Sequence, residues 1–364
     1  MREPSADRRQ RILAVVQSRG AARVSELATE LEVSVVTVRR DVEELARAGR
    51  LRRGHGVARS VVPLEETPVA IGSAAPGGAV AVVVPERHAY LNETVHGART
   101  ALEEAGMRVV LHIAPRFTDP EHAIVERILA GDVRGLLIAP RWRTSVAEEA
   151  DYGWLAGARV PTVLMERRPR PGSALHAMDS VCSDHWYGVH LAVEHLVSLG
   201  HRRIVLAARD DSPTARAVRA AFAEIAEVRP EIEDWTVVLS APDAGPDPDG
   251  GPLAPVELAK LLREREATAA LLHGDVDALM LVQQLADDGV RVPEDCSVVA
   301  YDDVVAALGS TPLTAVAPPR AEVGRAAAEL LVQRLARPGR PGAWRPHRVQ
   351  LLPELKIRGS TQQV

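Results

Sequence analysis

The stretch VEHLVSLGHRRIVLAA, residues 193–208, places a helix directly before a buried strand. Its first half completes the predicted helix WYGVHLAVEHLVSLG, which ends at Gly200, and its second half is the predicted strand RRIVLAA. A helix followed at once by an apolar strand is the repeating unit of a parallel sheet covered by helices.

The same alternation extends from this stretch in both directions. Upstream, the predicted strands AVAVVVP, MRVVLHIA, RGLLIAP and VPTVLMER are separated by predicted helices. Downstream, the strands WTVVLS, TAALLHG and CSVVAYDD alternate with helices in the same way. The fold class is therefore α/β, and the two series predict two doubly wound parallel-sheet subdomains with a ligand between them at the carboxyl ends of the strands.

Charge divides the 364-residue chain into two parts. The first 60 residues hold 13 Arg against 8 Asp and Glu, whereas the remainder holds 31 Lys and Arg against 41 Asp and Glu. A basic end on an acidic body favours a polyanion-binding head, although a basic cluster on a solvated helix would give the same counts. The charged start MREPSADRRQR and the lack of a long apolar run predict no signal peptide and no membrane span, so we expect a cytoplasmic protein.

The basic end predicts three short helices and a hairpin. Residues 8–19 form the first predicted helix, Ser25 is expected to cap a second, ELATEL, and Ser34 caps a third that ends before Gly49. Four residues of the third helix are expected to pack inward: Val35, Val38, Val42 and Leu45.

This order of helices is typical of a helix-turn-helix DNA-binding domain, in which the third helix enters a major groove. Arginine can fork onto guanine, and an apolar methyl group can meet a thymine methyl. The stretch LRRGHGVA then fits a hairpin wing that meets phosphate or the minor groove. A basic module that binds protein is the alternative that three short helices alone leave open. The residues expected to contact DNA are Ser34, Val36, Thr37, Arg39, Arg40, Arg52, Arg53 and His55.

The stretch SVVTVRRDVEEL, followed by GRLRRGHGVA, resembles the DeoR-type winged helix-turn-helix of bacterial sugar-operon repressors. Family members usually continue with a second glycine after the HG pair, where this chain has Val57. The resemblance covers residues 8–59 and implies a DNA-binding domain at residues 1–60, which the Pro- and Gly-rich residues 61–78 follow as a linker. The residues that match the family pattern are Ser34, Thr37, Val38, Arg39, Arg40, Asp41 and Val42.

The rest of the chain, residues 79–364, resembles the effector-binding domain of the lac/gal repressor family, which is itself similar to periplasmic sugar-binding proteins. The resemblance is carried by VEHLVSLGHRRIVLAA, by GVRVPEDCSVVAYDD with TPLTAVAPPRAEVGRAAAELLVQRL, and by LLPELKIRGST. It implies a periplasmic-binding-protein-like type I fold whose chain crosses between two lobes near Ser183, near Leu313 and near Gly339. Lobe one would then hold about residues 79–183 and 313–338, and lobe two about residues 184–312 and 339–361.

The same resemblance implies a set of ligand contacts. Asp302 matches an Asp that bonds a sugar hydroxyl, Glu166 stands where the family has Asp after the fourth strand, and Trp235 matches an aromatic residue that packs on the ligand. Each has a structural alternative, which is a strand-end cap for Asp302 and core packing for Trp235. The other expected contacts are Tyr90, Asn92, Arg216 and Arg219. The residues expected to serve packing alone are Trp142, Trp154, Trp186 and Trp344.

These patterns together predict a ligand-responsive repressor of a carbohydrate-utilisation operon, binding an operator duplex and a sugar as a homodimer. We expect no catalytic residues, metal or cofactor, because the chain carries no nucleotide-cradling glycine motif, no nucleophile elbow and no recognised zinc spacing. The alternative is an enzyme or sensor acting on a sugar phosphate, since DeoR-type heads normally precede an isomerase-like domain.

Overall fold

The computed structural model of the protein falls into two compact units, Met1–Ile71 and Gly72–Val364. Their boundary lies within the predicted linker, of which Gly78 alone is among the described residues. The described residues are 8–9, 12, 15–16, 21–30, 33–47, 51–54, 57–60, 78–85, 89–114, 121–240, 256–337 and 344–364.

The first unit has the helices and the hairpin wing that the sequence predicts. The described residues between 8 and 16 are helical and precede the other elements. The elements that follow are β1 (Ala21–Arg23), α1 (Val24–Glu30), α2 (Val35–Arg47), β2 (Leu51–Gly54) and β3 (Val57–Ser60). The three strands form an antiparallel sheet in the order β1-β3-β2. Strands β2 and β3 pair from Leu51 with Ser60 to Gly54 with Val57, as a hairpin requires.

The inward face of α2 is confirmed at three of its four predicted positions. Val38, Val42 and Leu45 are buried in the head core. Val35 is 41% exposed, because it is the first residue of the helix and lies beyond the buried cluster. Asp41 was not expected among the inward residues, but it is 6% exposed and accepts a hydrogen bond from Arg8 Nε at 2.6 Å.

The start of α1 differs from the prediction. The helix begins at Val24, so Ser25 is its second residue and not its cap. Glu26 takes over part of that task, because its carboxylate accepts the backbone N–H of Arg23 at 3.2 Å.

The second unit contains two parallel sheets. The strands are β4 (Ala79–Pro85), β5 (Arg108–Ala114), β6 (Val133–Ile138), β7 (Thr162–Met165), β8 (Asp179–Ser183), β9 (Arg203–Ala207), β10 (Asp234–Val238), β11 (Ala269–His273), β12 (Ser297–Tyr301), β13 (Thr314–Ala317), β14 (Arg348–Leu351) and β15 (Glu354–Lys356). The lobe-one sheet has the order β14-β8-β7-β6-β4-β5. The lobe-two sheet has the order β10-β9-β11-β12-β13-β15, in which only β15 is antiparallel to its neighbour. The helices are α3 (Ala89–Glu104), α4 (Glu121–Leu129), α5 (Ser145–Ala156), α6 (His185–Ser198), α7 (Pro213–Val228), α8 (Leu258–Arg265), α9 (Asp275–Asp287) and α10 (Arg320–Leu335).

The apolar strands are buried because helices cover both faces of each sheet. Along β4, Val80 and Val82 join the core beneath α3 and α10, whereas Ala81 and Val83 join the core beneath α4 and α5. Alternate side chains of a strand point to opposite faces, so an unbroken apolar run such as AVAVVV is needed to fill both cores.

The crossings between lobes fall partly where the resemblance places them. The first lies after Ser183, as expected, because β8 belongs to lobe one and α6 packs on lobe two. The second lies between Ala317 and Arg320 and not near Leu313, because β13 pairs with β12 before α10 packs on lobe one. The third lies between Leu351 and Glu354 and not near Gly339, because β14 pairs with β8 in lobe one. Among the described residues, no helix is long and apolar enough to span a bilayer.

Candidate nucleic-acid interface and ligand cleft

The N-terminal end of α2 presents exposed side chains next to a capped first turn. Ser34 Oγ accepts the backbone N–H of Thr37 at 3.1 Å, and the two hydroxyls lie 2.8 Å apart. Val36 is 73% exposed. Arg39 and Arg40 are also exposed, and within the described part of the chain neither makes a hydrogen bond or ion pair. This end of the helix therefore offers cations and an apolar methyl surface to a partner.

The predicted wing residues are placed only in part. Arg52 and Arg53 lie on β2, where the structure defines the backbone and not their side chains. His55 lies outside the described residues.

Two carboxylates end equivalent strands of the two lobes. Glu166 follows β7, the fourth strand of lobe one along the chain, and Asp302 follows β12, the fourth strand of lobe two. Both have positive φ angles, 51° for Glu166 and 88° for Asp302. Such angles cost a non-glycine residue about 1–2 kcal/mol, so the surrounding fold holds both residues in place.

Glu166 is the centre of a buried hydrogen-bond network in lobe one. Its carboxylate accepts the Tyr90 hydroxyl at 2.9 Å, the Ser183 hydroxyl at 2.9 Å and the Ser183 backbone N–H at 3.1 Å. Burial raises the pKa of Glu166 even though these bonds act to lower it. Burial, reinforced by the charge of Glu166, raises the pKa of Tyr90 well above its usual value. The Arg320 guanidinium lies 5.7 Å from the centre of the Tyr90 ring.

Asp302 and Asp303, adjacent residues at the end of β12, have opposite surroundings. Asp302 Oδ1 is buried and has no hydrogen-bond partner among the described residues. Burial, followed by the charge of Asp275, raises the pKa of Asp302 well above its usual value. For Asp303, burial is outweighed by hydrogen bonds from Arg358 at 2.9 Å and Lys356 at 3.1 Å, which lower its pKa. Of the two residues, Asp302 is therefore the one with a buried side-chain oxygen that lacks a hydrogen-bond partner among the described residues.

A cavity of about 400 Å³ lies between the lobes. Lobe one supplies Ser145, Glu148, Glu166, Arg168, Arg170, Cys182, Ser183 and Gln350 to its wall. Lobe two supplies His185, Trp186, Pro213, Thr214, Arg216, Ala217 and Ala220. A cavity of this volume is of the size that holds a small metabolite, and most of the residues that line it are polar or charged, which suits a polar one.

Arg216 joins the lobes at the cavity wall. Its Nη1 donates to the carbonyl oxygens of Trp142 at 3.1 Å and Arg143 at 2.9 Å, and its Nη2 lies 3.3 Å from a carboxylate oxygen of Glu148. Glu148 is 4% exposed and also accepts the Tyr152 hydroxyl at 2.7 Å. The arginine of one lobe thus satisfies main-chain and carboxylate acceptors of the other.

The predicted ligand contacts divide into two groups. Glu166 and Arg216 line the cavity, and Tyr90 is bonded to Glu166. Asn92 is exposed on α3 and Arg219 is half-buried on α7, and neither lines the cavity.

The expectation for Trp235 was wrong. It lies near the amino end of β10, opposite Ile204, and therefore far from the carboxyl edge. Its ring packs edge-on against Phe222, with 6.1 Å between ring centroids, and belongs to the lobe-two core. A bulky ring fills a core as readily as it meets a ligand, which is why sequence alone misassigned it.

Some residues that follow the crossings lie at or near the cavity although they were not among the predicted ligand contacts. Trp186 lines the cavity, contrary to the expectation that it serves packing alone. His185 lines it as well, and its Nδ1 lies 3.0 Å from the Tyr301 hydroxyl. Burial lowers the pKa of His185 to about 4. The crossing correctly predicted near Ser183 was the signal that could have identified His185 and Trp186. Arg320 directly follows the second crossing, which was predicted near Leu313 and so gave no such signal.

Trp142, Trp154 and Trp344 pack within lobe one, as expected, and the two cysteines are buried. The buried Trp142 ring donates to Asp151 Oδ2 at 3.0 Å, and Trp344 donates to Asp179 at 2.9 Å. Cys182 and Cys296 are buried free thiols, and burial raises the pKa of each to about 12.

Comparison with known proteins finds relatives for both units. Residues 8–63 match the DeoR-like helix-turn-helix domain, and residues 193–361 match the periplasmic binding protein-like domain. The HTH-type transcriptional repressor PurR of Haemophilus influenzae is 30% identical over 208 residues, which cover 56% of this chain and 58% of the relative. The chain thus spans less than two thirds of that relative.

Two further relatives cover more of the chain. The HTH-type transcriptional regulator reg1 of Streptomyces lividans is 29% identical over 350 residues, covering 93% of this chain and 96% of the relative. A solved structure, the transcriptional regulator CelR–cellobiose complex, is 26% identical with a TM-score of 0.62, covering 90% of this chain and 91% of that chain. Residues 8–63 therefore match a DeoR-like helix-turn-helix domain and residues 193–361 match a periplasmic binding protein-like domain, which confirms that the sequence resembles both kinds of domain.

Proposed function

We propose that the protein is a ligand-responsive, DNA-binding transcription regulator that represses a carbohydrate-utilisation operon. The observation that carries this proposal is the pairing, in one chain, of a winged helix-turn-helix with exposed arginines and a two-lobed unit enclosing a cavity lined by both lobes. The head binds an operator duplex, and the cavity binds a small polar effector.

The DNA contacts follow from the exposed end of α2. Arg39 and Arg40 meet base edges and phosphates, and Val36 meets a thymine methyl group, because the N-terminal part of a recognition helix lies deepest in the major groove. Ser34 and Thr37 hold the helix start through the cap described above. The wing residues supply phosphate or minor-groove contacts, and they are Arg52, Arg53 and His55.

The effector is a sugar bound between the lobes. Glu166 and Asp302 present hydrogen-bond acceptors from opposite lobes, with Tyr90 beside Glu166 and Arg216 at the cavity wall. Carboxylates accept hydrogen bonds from several hydroxyls at once, which suits a polyol. The solved relative CelR is a complex with cellobiose, which supports a sugar as ligand.

The protein binds its ligand without converting it. The relatives PurR, reg1 and CelR are named as transcription regulators, which supports regulation over the alternative of an enzyme acting on a sugar phosphate. Catalytic residues, metal and cofactor therefore have no part in the proposal.

The regulator acts in the cytoplasm as a homodimer. Two heads reading two half-sites match the two-fold symmetry of a palindromic operator. A sugar can change operator affinity only if it binds one arrangement of the lobes better than another, so effector binding must favour one lobe arrangement.

Operator selection with the full-length protein tests the DNA-binding part. We expect enrichment of a palindrome and a logarithmic affinity that falls linearly with logarithmic salt, by about 0.9 per phosphate contact. Arg40→Ala should cost about 1–3 kcal/mol and relax one base position. Arg47→Ala is the matched control, because Arg47 lies at the far end of α2 and pairs with Glu44. Failure to enrich any sequence would refute the proposal.

Sugar response is tested on the selected operator. Ribose, arabinose, sucrose and cellobiose are added to the complex, with glucose 6-phosphate as the phosphorylated comparison, and release is followed by fluorescence anisotropy. Release by a neutral sugar is expected. Turnover of the phosphorylated sugar would instead establish the enzymatic alternative.

A further inference from the structure

Unsatisfied polar groups gather at one edge of lobe two. Among the described residues, six have a buried side-chain nitrogen or oxygen without a hydrogen-bond partner. Three of the six, Ser240, His273 and Asp302, lie at or just beyond the carboxyl ends of β10, β11 and β12. Carboxyl ends of the strands are where doubly wound units bind ligands.

His273 is the most incompletely satisfied of these residues. It is 8% exposed, and neither Nδ1 nor Nε2 has a hydrogen-bond partner in the part of the chain that the structure describes. Its ring lies 6.1 Å from that of Tyr301, whose hydroxyl is bonded to the cavity-lining His185. A buried donor or acceptor without a partner carries the full penalty of its lost hydration, so a partner is expected to complete this imidazole.

The surroundings of His273 favour an uncharged imidazole. Burial lowers its pKa to about 4. Among the charged groups that act on it, Asp277 and Arg209 bond each other through two contacts of 2.5 and 2.8 Å. A neutral imidazole has one N–H donor and one acceptor nitrogen, and a hydroxyl group can complement either.

His201 shows that burial alone does not leave a histidine unsatisfied in this protein. It is 3% exposed, and its nitrogens lie 2.8 Å from Thr268 Oγ1 and 3.2 Å from the Gln362 carbonyl oxygen. His201 lies at the amino end of the same sheet, away from the cleft, since it precedes β9. His201 is therefore satisfied within the fold, whereas His273 is left available to a ligand.

We propose that His273 is a specificity-determining residue of the effector site, and that it pairs as a neutral imidazole with a hydroxyl of an uncharged polyol held also by Asp302. The proposal rests on the proposed function and extends it. A hydroxyl can donate to the acceptor nitrogen of the imidazole or accept from its N–H, whereas a carboxylate or phosphate can only accept, so His273 favours a hydroxyl over an acidic group at this position of the sugar.

The test compares His273→Leu with His201→Leu in the full-length protein. The melting temperature of each protein is measured without sugar. The affinities for ribose, arabinose, sucrose and cellobiose are then measured by calorimetry. His273→Leu should melt no lower than wild type, because it removes a dehydrated polar group, and it should bind the active sugar at least tenfold more weakly. His201→Leu should melt lower and keep wild-type sugar affinity. His273→Gln, which retains a donor and an acceptor, should recover part of the lost affinity.

Each contrary outcome has a separate meaning. Unchanged sugar affinity in His273→Leu overturns this inference and leaves the regulatory function standing. A lower melting temperature for His273→Leu shows that an internal partner such as a water satisfies the imidazole, which also overturns it. Operator release by a phosphorylated sugar alone overturns the neutral-polyol specificity but not DNA regulation. If the wild-type protein binds no operator, the proposed function itself is refuted.

Discussion

Arg216→Ala tests whether the protein itself ties its two lobes together. The substitution removes the hydrogen bonds to the carbonyls of Trp142 and Arg143 and the ion pair with the buried Glu148. Removing one partner of a buried, hydrogen-bonded charge pair costs about 2–5 kcal/mol. The Arg216 side chain is 28% exposed, so solvent screening places the effect near the lower end, at about 2 kcal/mol. Since 1.4 kcal/mol is a factor of ten, the ratio of closed to open lobes should fall by about thirtyfold.

Small-angle scattering and sugar calorimetry measure the two consequences. The variant should be more extended in solution, and it should bind its sugar more weakly because binding must then drive closure. Glu148→Gln should give a smaller effect in the same direction, and the double variant should cost less than the sum because the residues share one contact. Arg229→Ala is the control, since its ion pair with Glu194 lies within lobe two. Additive effects, or an unchanged scattering profile, would refute the tie between lobes.

Three further predictions concern buried charges. Asp41→Ala should destabilise the head by about 3 kcal/mol in thermal unfolding, because it leaves Arg8, 13% exposed in that pair, without its carboxylate; a loss below about 0.5 kcal/mol, the value of an exposed pair, would contradict this. Asp302→Gly should relieve the strain of the positive φ and raise the melting temperature, while it weakens sugar binding by one to two decades, about 1–3 kcal/mol. Asp302→Ala should lose the same affinity without the gain in melting temperature. Burial lowers the pKa values of His185 and His273 to about 4, so the unfolded chain binds more protons, and their contribution to the free energy of unfolding should fall as pH falls from about 6.5 to about 4. Denaturant titrations over this range should show a shallower pH dependence for His273→Leu, and equal slopes would show that the histidine is not buried neutral.

Elements whose residues fill a core by themselves were predictable from the sequence. The run AVAVVV of β4 supplies both faces of the lobe-one sheet, so its pattern alone predicts a buried strand. The hairpin wing was predictable as well, because Gly54 and Gly56 permit a turn between two short strands.

Features that depend on distant partners were not predictable in the same way. β13 and β14 have four residues each, and their sheet is decided by the strands they pair with and not by their own pattern. Asp41 pairs with a residue 33 positions away, so the helix wheel gives no reason to bury it. Arg320 approaches the cleft because the chain changes lobe next to it, and the place of that crossing depends on the pairing of β13 with β12.

Residues with a strained backbone supply both a contact between the lobes and the two carboxylates at the strand ends. Four non-glycine residues with positive φ occur in the described chain, and one of them, Glu266, ends helix α8 in the common left-handed cap. The other three, Trp142, Glu166 and Asp302, all follow strands at the carboxyl edges that form the cleft. Glycine would remove a cost of about 1–2 kcal/mol at each position, but it would also remove the indole that anchors to Asp151 and the two carboxylates. Trp142 presents its carbonyl to Arg216 at one strand end, and Glu166 and Asp302 carry carboxylates at the other two. The contact between the lobes and the two carboxylates that we propose bind the effector therefore all lie at the carboxyl edges of the sheets.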